Sequence, residues 1–259
     1  MNIKIENLSF SYSLLSTEKK EVLSDISFEI GDNELVGITG HSGSGKTTLI
    51  QHFTGLLKPT KGKVWIDGQD LWGSKIDLSA IRRKIGIVFQ FPETQLFEEH
   101  VFEDVAFGPK NLGLSEAEVA SRVKKALELV GFDFDTYRKR NPHQLSEGEK
   151  RRVALAGVFA MKPSALVLDE PTAGLDSSGI QYMNQILKKF HHSGKTIIIV
   201  SHNLDEIVKL AERILILHKG RLVFDGSKNE LVFEHNILEK LNINKPRCCI
   251  LFKMIKRVG

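Results

Sequence analysis

The sequence predicts an α/β fold with a mainly parallel sheet, and three observations carry that prediction. A glycine-rich stretch, GHSGSGKTT (Gly40 to Thr48), sits between a short apolar run, LVGIT, and a helix-like segment, LIQHFTGLL. Continuous apolar runs, ALVLDE (165–170), TIIIVSH (196–202) and RILILH (213–218), alternate with helical stretches. Such runs suit parallel strands covered on both faces. Between Phe91 and Met161 the apolar spacing turns helical, which predicts an inserted α-helical part.

Residues 2–12 and 22–30 read as strands, with alternating apolar positions at Ile3, Ile5 and Leu8 and then at Ile26, Phe28 and Ile30. They predict an N-terminal antiparallel β part. The polar SLLSTEKKE between them predicts a loop, and GDN at 31–33 a tight turn. After the glycine-rich loop and its helix, LKPTKGK breaks the chain and KVWIDG reads as a strand. A helix is expected near Leu78–Arg83, followed by a buried strand, KIGIVFQ, ending at Gln90. In LSEAEVASRVKKALELVG, Val119, Val123, Leu127 and Val130 fall at helical spacing, with Ser115 as cap and Gly131 as stop. EGEKRRVALAGVFAM predicts a second long helix. Helices are expected near 177–192 and 203–211, GRLVFDG as a short strand, and 229–259 as a helical or irregular tail.

Composition sets outer bounds. The 259 residues, 41% hydrophobic and 26% charged, suit one large soluble domain, or one with a small appendage. A net charge of +4 is mild and does not argue for nucleic acid, which asks for a concentrated basic face. Only the end is concentrated, with Lys245, Arg247, Lys253, Lys256 and Arg257. Cys248 and Cys249 are adjacent, so no disulfide framework is available, which suits a reducing compartment. The N-terminus lacks the apolar core of a signal peptide, and no apolar run is long enough to span a bilayer.

The glycine-rich loop carries the first chemistry. Its G-x-x-x-x-G-K-T pattern, after a strand and before a helix, is a phosphate loop. Gly40, Gly43 and Gly45 permit the backbone to turn amides toward an anion, and the helix adds the positive end of its dipole. His41, Ser42, Ser44 and Thr48 complete the loop, Lys46 reaches the outer phosphates, and the Thr47 hydroxyl suits a magnesium ion. Asp169 and Glu170 end a buried strand, where open parallel sheets place ligand sites. Asp169 suits the metal and Glu170 suits orienting or deprotonating a water. LSEGEKRRVALAG (145–157) starts a helix with Ser146 and Gly148. Ser146 with Glu149 forms a capping box, and the same helix start offers a second anion-binding end.

With these motifs in order, the chain resembles the ATP-binding subunits of ABC transporters over about residues 1–228. The resemblance implies a RecA-like phosphate-loop NTPase core with an N-terminal antiparallel β subdomain and a helical subdomain at about 91–161. The family signature, usually LSGGQ, reads LSEGE here. Gln90 matches the Q-loop, Asp176 in AGLD the D-loop, His202 the switch histidine, and Tyr12 the aromatic that stacks on adenine. The family's sites are shared between two subunits, with the signature of one facing the triphosphate of the other. The resemblance therefore implies ATP and magnesium as ligands and a homo- or heterodimer. It casts Lys46, Gln90, Glu170 and His202 as the catalytic set, and Thr47, Gln90 and Asp169 as the metal set. Glu147 and Glu149 depart from the signature, and Glu147 is expected either to slow turnover or to be offset by Lys150, Arg151 and Arg152.

The segment FQFPETQLFEEHVFEDVAFGPKNLG is more specific. It looks like the region after the Q-loop in energy-coupling factor transporters, bacterial importers of vitamins and transition metals. That resemblance implies a transmembrane coupling subunit, a substrate-binding membrane subunit, and a position at the cytoplasmic face of the membrane. It makes Phe91 to Phe97 candidate contacts and 229–259 a candidate dimer support. Two further readings stand beside it: the ATPase of another ABC importer or exporter, and a non-transport ABC protein acting on nucleic acid. The latter usually carry a coiled-coil insertion, zinc-binding cysteines or two ATPase halves, which this sequence lacks.

Overall fold

The computed structural model describes residues 1–13, 19–74, 76–233, 238, 239, 241, 243 and 246. The basic end and Cys248 and Cys249 lie outside the described residues, as does part of the predicted loop before residue 19. In chain order the strands are β1 (Ile3–Ser13), β2 (Lys19–Ile30), β3 (Leu35–Thr39), β4 (Lys61–Ile66), β5 (Gln69–Asp70), β6 (Ile85–Val88), β7 (Ala165–Asp169), β8 (Thr196–Val200), β9 (Arg213–His218) and β10 (Arg221–Ser227). The helices are α1 (Lys46–Phe53), α2 (Leu78–Lys84), α3 (Val101–Asn111), α4 (Glu116–Leu129), α5 (Phe134–Tyr137), α6 (Glu147–Ala160), α7 (Ser177–His192), α8 (Leu204–Leu210) and α9 (Lys228–Phe233). They form two compact units, Met1–Arg82 with Gly194–Gly259, and Arg83–Ser193.

The first unit holds two sheets. The antiparallel one runs β2-β1-β4-β5. Its alternating residues Ile3, Ile5, Leu8, Ile26 and Ile30 are buried, as period-two patterning requires. β2 begins at Lys19 rather than Val22, because Ser13 pairs with Lys19 and Tyr12 with Lys20. In the other sheet β3 lies parallel between β8 and β9, and β10 closes the edge antiparallel to β9. β3 and β8 are buried along their whole length, as strands covered on both faces must be. Leu49, Ile50 and Phe53 of α1 are fully buried, with Phe53 edge-on to Phe28 at 6.3 Å.

The second unit holds β6 and β7, parallel in a register that pairs Val88 with Leu168. β6 is shorter than predicted. It stops at Val88, and at Phe91 (φ 58) the backbone enters the left-handed region, leading into a tight 3-10 turn, Pro92–Gln95. Helices α3, α4 and α6 pack on one another through Val101, Val105, Val123, Leu127, Val153 and Leu155. α4 starts on a complete capping box, Ser115 with Glu118, and its last turn leads to Gly131 at φ 77. Phe159 of α6 stacks on Phe190 of α7 at 4.7 Å.

Candidate active site

In the first unit the loop after β3 closes back on itself. The Ser44 amide donates to the His41 carbonyl at 3.1 Å, and the Gly220 amide, from the β9–β10 turn, donates to Ser44 O at 3.2 Å. Gly40 (φ 145) has no room for a side chain, since a Cβ there would stand 2.1 Å from the Leu217 carbonyl oxygen. Gly43 (φ 75) differs: nothing lies within 4 Å of where its Cβ would be. The loop is thus tightly seated at Gly40 and open at Gly43. Lys46 is buried, and its Nζ donates to the carbonyls of Gly40 at 2.7 Å and His41 at 3.0 Å. Its ammonium therefore sits inside the loop. Helix α1 starts after Gly45 (φ 102), whose lack of a side chain leaves the N-cap position with no side-chain cap bond. The Ser44 Oγ is buried with no hydrogen-bond partner, an unusual expense for a packed protein and one that a bound oxyanion would relieve.

Gly40, His41, Ser42, His202, Asp205 and Ile243 line one cleft of about 460 Å³. His202 follows the buried strand β8 and is exposed, and Asn203 caps α8 by accepting from the Asp205 amide at 3.1 Å. Tyr12 is 40% exposed, its hydroxyl 3.3 Å from Thr48 Oγ1 and its ring edge-on to Phe10 at 4.9 Å. Thr47 is exposed. From the tail, the Leu241 carbonyl accepts a hydrogen bond from His41 Nε2 at 2.8 Å. Nothing in the sequence signals that contact.

In the second unit Gln90 and Glu170 each lie two residues beyond the paired Val88 and Leu168, at the carboxyl ends of neighbouring strands. Asp169 is buried. Glu170 adopts φ 50, a left-handed conformation uncommon outside glycine and frequent at functional sites. Ser146 accepts from the Glu149 amide at 3.4 Å, while Glu149 accepts from the Ser146 amide at 3.0 Å and its hydroxyl at 2.7 Å. The predicted capping box is present. Ser146 and Gly148 line a second cleft of about 370 Å³ with Arg152, Ser178, Gly179 and Tyr182. Asp176 caps α7, accepting from the Gly179 amide at 2.7 Å and from the Ser178 hydroxyl. These bonds, the Gly179 amide first, hold its carboxyl below the usual range.

Residues 23–173 match the profile of the ABC transporter family. The energy-coupling factor transporter ATP-binding protein EcfA2 of Clostridium tetani is 46% identical over the whole of this chain and 90% of its own length. The chain belongs to the ATP-binding subunits of energy-coupling factor transporters. Among solved structures, cbiO1 of Clostridium perfringens, part of the ABC transporter complex cbiONQ, has a TM-score of 0.82 at 36% identity, covering 97% of this chain and 98% of that one. The ATP-binding cassette MJ0796, a dimer bound to ADP and phosphate, has a TM-score of 0.76 at 31% identity, covering 87% of this chain and 98% of that one.

The departures in this ABC subunit's signature have local explanations. Glu147 is exposed and paired with Lys150 Nζ at 2.8 Å, so one of the three expected cations does meet it. The other two are engaged elsewhere. Arg152 lies over the rings of Phe132 and Tyr182, at 4.2 and 5.1 Å, and donates to the Val130 carbonyl. Arg151 is buried against Glu93. Glu149 also accepts from the Tyr137 hydroxyl at 2.8 Å. Hydrogen bonds from Ser146, then Tyr137, hold the Glu149 carboxyl below the usual range, and the bond to Glu149 pushes the Tyr137 phenol up. Arg151 is expected from the sequence as a cation offsetting Glu147, but it falls in step with Leu155 and Phe159 along α6 and turns inward. Its partner, 58 residues away, was not legible.

Proposed function

We propose that this energy-coupling factor ATPase binds ATP with magnesium on the loop Gly40–Thr48 and hydrolyses it with Glu170 as the base. The observation that carries this reading is the loop itself: Lys46 inside, the buried Ser44 hydroxyl with no hydrogen-bond partner, and open space at Gly43. Lys46 would exchange its carbonyl acceptors for β- and γ-phosphate oxygens, and the amides from Gly43 to Thr48 would donate to the same charge. Tyr12 offers an exposed ring for adenine. Thr47, Gln90 and Asp169 each offer a hard oxygen donor of the kind magnesium takes and would hold that ion, which would supply charge neutralisation to the triphosphate. Glu170 would take a proton from the attacking water as the new P–O bond forms and the bond to the bridging oxygen breaks, releasing ADP and phosphate. His202 would position that water against the γ-phosphate, and Gln90 would stand near it.

Two subunits complete each site in this reading. Ser146 and Gly148 at the start of α6, with Asp176 at the start of α7, would close on the triphosphate held by a partner, homologous or identical. The dimeric cassette with ADP and phosphate supports that arrangement. Phe91 and Phe97, 47% and 59% exposed, support a docking face for a transmembrane coupling subunit, which in turn joins a substrate-binding membrane subunit. No helix among the described residues is long and apolar enough to cross a membrane, so residence at the cytoplasmic face would depend on those partners. The work is import of a vitamin or transition-metal ion by ATP-driven closure, with the segment after residue 228 supporting the dimer. Affinity purification of the native chain from detergent-solubilised membranes tests the assembly. Co-elution of integral membrane subunits with MgATP-dependent hydrolysis is expected, and a chain that elutes with no integral membrane protein contradicts it.

A further inference from the structure

The Arg151 side chain is buried, 6% exposed, and that of its partner Glu93 is nearly so at 9%. The guanidinium meets that carboxylate as a fork, Nη2 to Oε1 at 3.2 Å and Nε to Oε2 at 3.3 Å. Its remaining arm, Nη1, donates to the carbonyls of Ala173 at 2.6 Å and Pro171 at 3.4 Å. These partners belong to two separate segments that both adopt uncommon backbone. Glu93 sits in the turn Pro92–Gln95, which the chain enters through Phe91 at φ 58. Pro171 and Ala173 follow Glu170 at φ 50, where the Ala173 amide closes a turn onto the Glu170 carbonyl at 3.2 Å. Left-handed residues persist only where their surroundings over-determine them. One planar side chain bonds to both segments, from a helix capped by Ser146.

We propose that Arg151 is a positioning residue for hydrolysis, resting on the reading of Glu170 as base given above. Its fixed fork sets the spacing between the turn after Gln90 and the loop after Glu170. A force on the exposed Phe91–Phe97 face therefore reaches the base through the Glu93–Arg151 pair. Lysine cannot substitute fully, since an ammonium presents no planar fork to a carboxylate. The pair also has a cost: buried charges are expensive to desolvate, and well-packed apolar replacements of a buried pair often leave stability unchanged or improved. That separates positioning from folding.

The test uses the full chain, with whatever subunits accompany it on purification, in steady-state MgATP hydrolysis. The variants are Arg151→Lys and the double variant Glu93→Met/Arg151→Met, with Glu170→Gln alongside. Misplacing a reacting group by a fraction of its contact distance costs up to about a hundredfold in rate. The double variant should keep its melting temperature and its KM for MgATP within about twofold, and lose about 10- to 100-fold in kcat. Arg151→Lys should fall between it and wild type. A folded double variant with wild-type kcat overturns the inference, as does a kcat loss matched by equal losses in KM and melting temperature. Glu170→Gln separates the two claims. If it turns over like wild type, the base assignment falls and the inference with it. If it is inactive while the double variant is not, only the inference falls.

Discussion

Gly40→Ala and Gly43→Ala separate what the loop needs to fold from what it needs to hold phosphate. At Gly40 a methyl would stand 2.1 Å from the Leu217 carbonyl oxygen and 2.9 Å from Ser44 Oγ. Leu217 belongs to β9 and is paired with Leu222 of β10, so the clash falls on backbone that cannot swing aside. Overpacking of this kind costs about 1–3 kcal/mol, and the positive φ adds roughly 1–2 kcal/mol. At Gly43 the methyl meets nothing, so the fold loses only the roughly 1–2 kcal/mol of left-handed strain. The amide geometry around the anion is nevertheless disturbed, and losing one hydrogen bond to a charged group costs about 1.5–3 kcal/mol. That converts to about a 10- to 100-fold rise in the Kd for MgATP. Thermal melting and titration with a fluorescent ATP analogue give both numbers on each variant. Gly40→Ala should show the larger fall in melting temperature, and Gly43→Ala a large loss of affinity with a smaller fall. A Gly43→Ala chain that binds nucleotide like wild type would refute the claim that the open side of the loop receives the phosphates.

Two further predictions concern acid. The Glu149 carboxyl is held below its ordinary 4.5 by the Ser146 and Tyr137 hydroxyls, so the stability it contributes is present above pH 4.5 and is lost as the pH falls through its lower folded value. Glu149→Gln preserves the capping geometry without titrating. The gap in melting temperature between wild type and that variant should therefore shrink below pH 4.5, and a gap constant with pH would contradict the assignment. His52 is buried beside Phe10, its Nδ1 donating to the Thr48 carbonyl at 2.8 Å while Nε2 has no partner. Burial lowers its pKa from 6.5, so the unfolded chain takes up the proton first and stability falls as the pH drops below 6.5. His52→Phe should flatten that slope in melting temperature, and an unchanged slope would show that other groups cause it.

Elements whose signals lie close together in the chain were legible in the sequence. The phosphate loop, the Ser115 cap, the Ser146 capping box, the Gly131 stop and the span of α7 each depend on residues within a few positions of one another, and the structure has them as read. What escaped the reading depends on distant partners. The extra residues of β2 are polar, and only their pairing with β1 makes them strand. Polar composition in KKE looks the same in a loop. The early end of β6 comes from the backbone at Phe91, a bulky residue that no propensity would place at positive φ. The charges of α6 were countable, yet their division was not. Lys150 turns to Glu147, Arg152 to aromatic faces, and Arg151 inward to a carboxylate 58 residues earlier. The contact of His41 with Leu241 spans 200 residues and has no local signal at all.

The central claim is that this energy-coupling factor subunit hydrolyses ATP with Glu170 as the base, in a site shared with a second subunit. The most direct measurement is made on Glu170→Gln, which keeps the shape of the side chain and removes its basicity. Steady-state phosphate release and sedimentation with and without MgATP are read on the same preparation. Hydrolysis should nearly vanish, ATP should remain bound, and an ATP-dependent dimer should accumulate. Phosphate release at the wild-type rate, or bound ATP with no change in assembly, would contradict the claim.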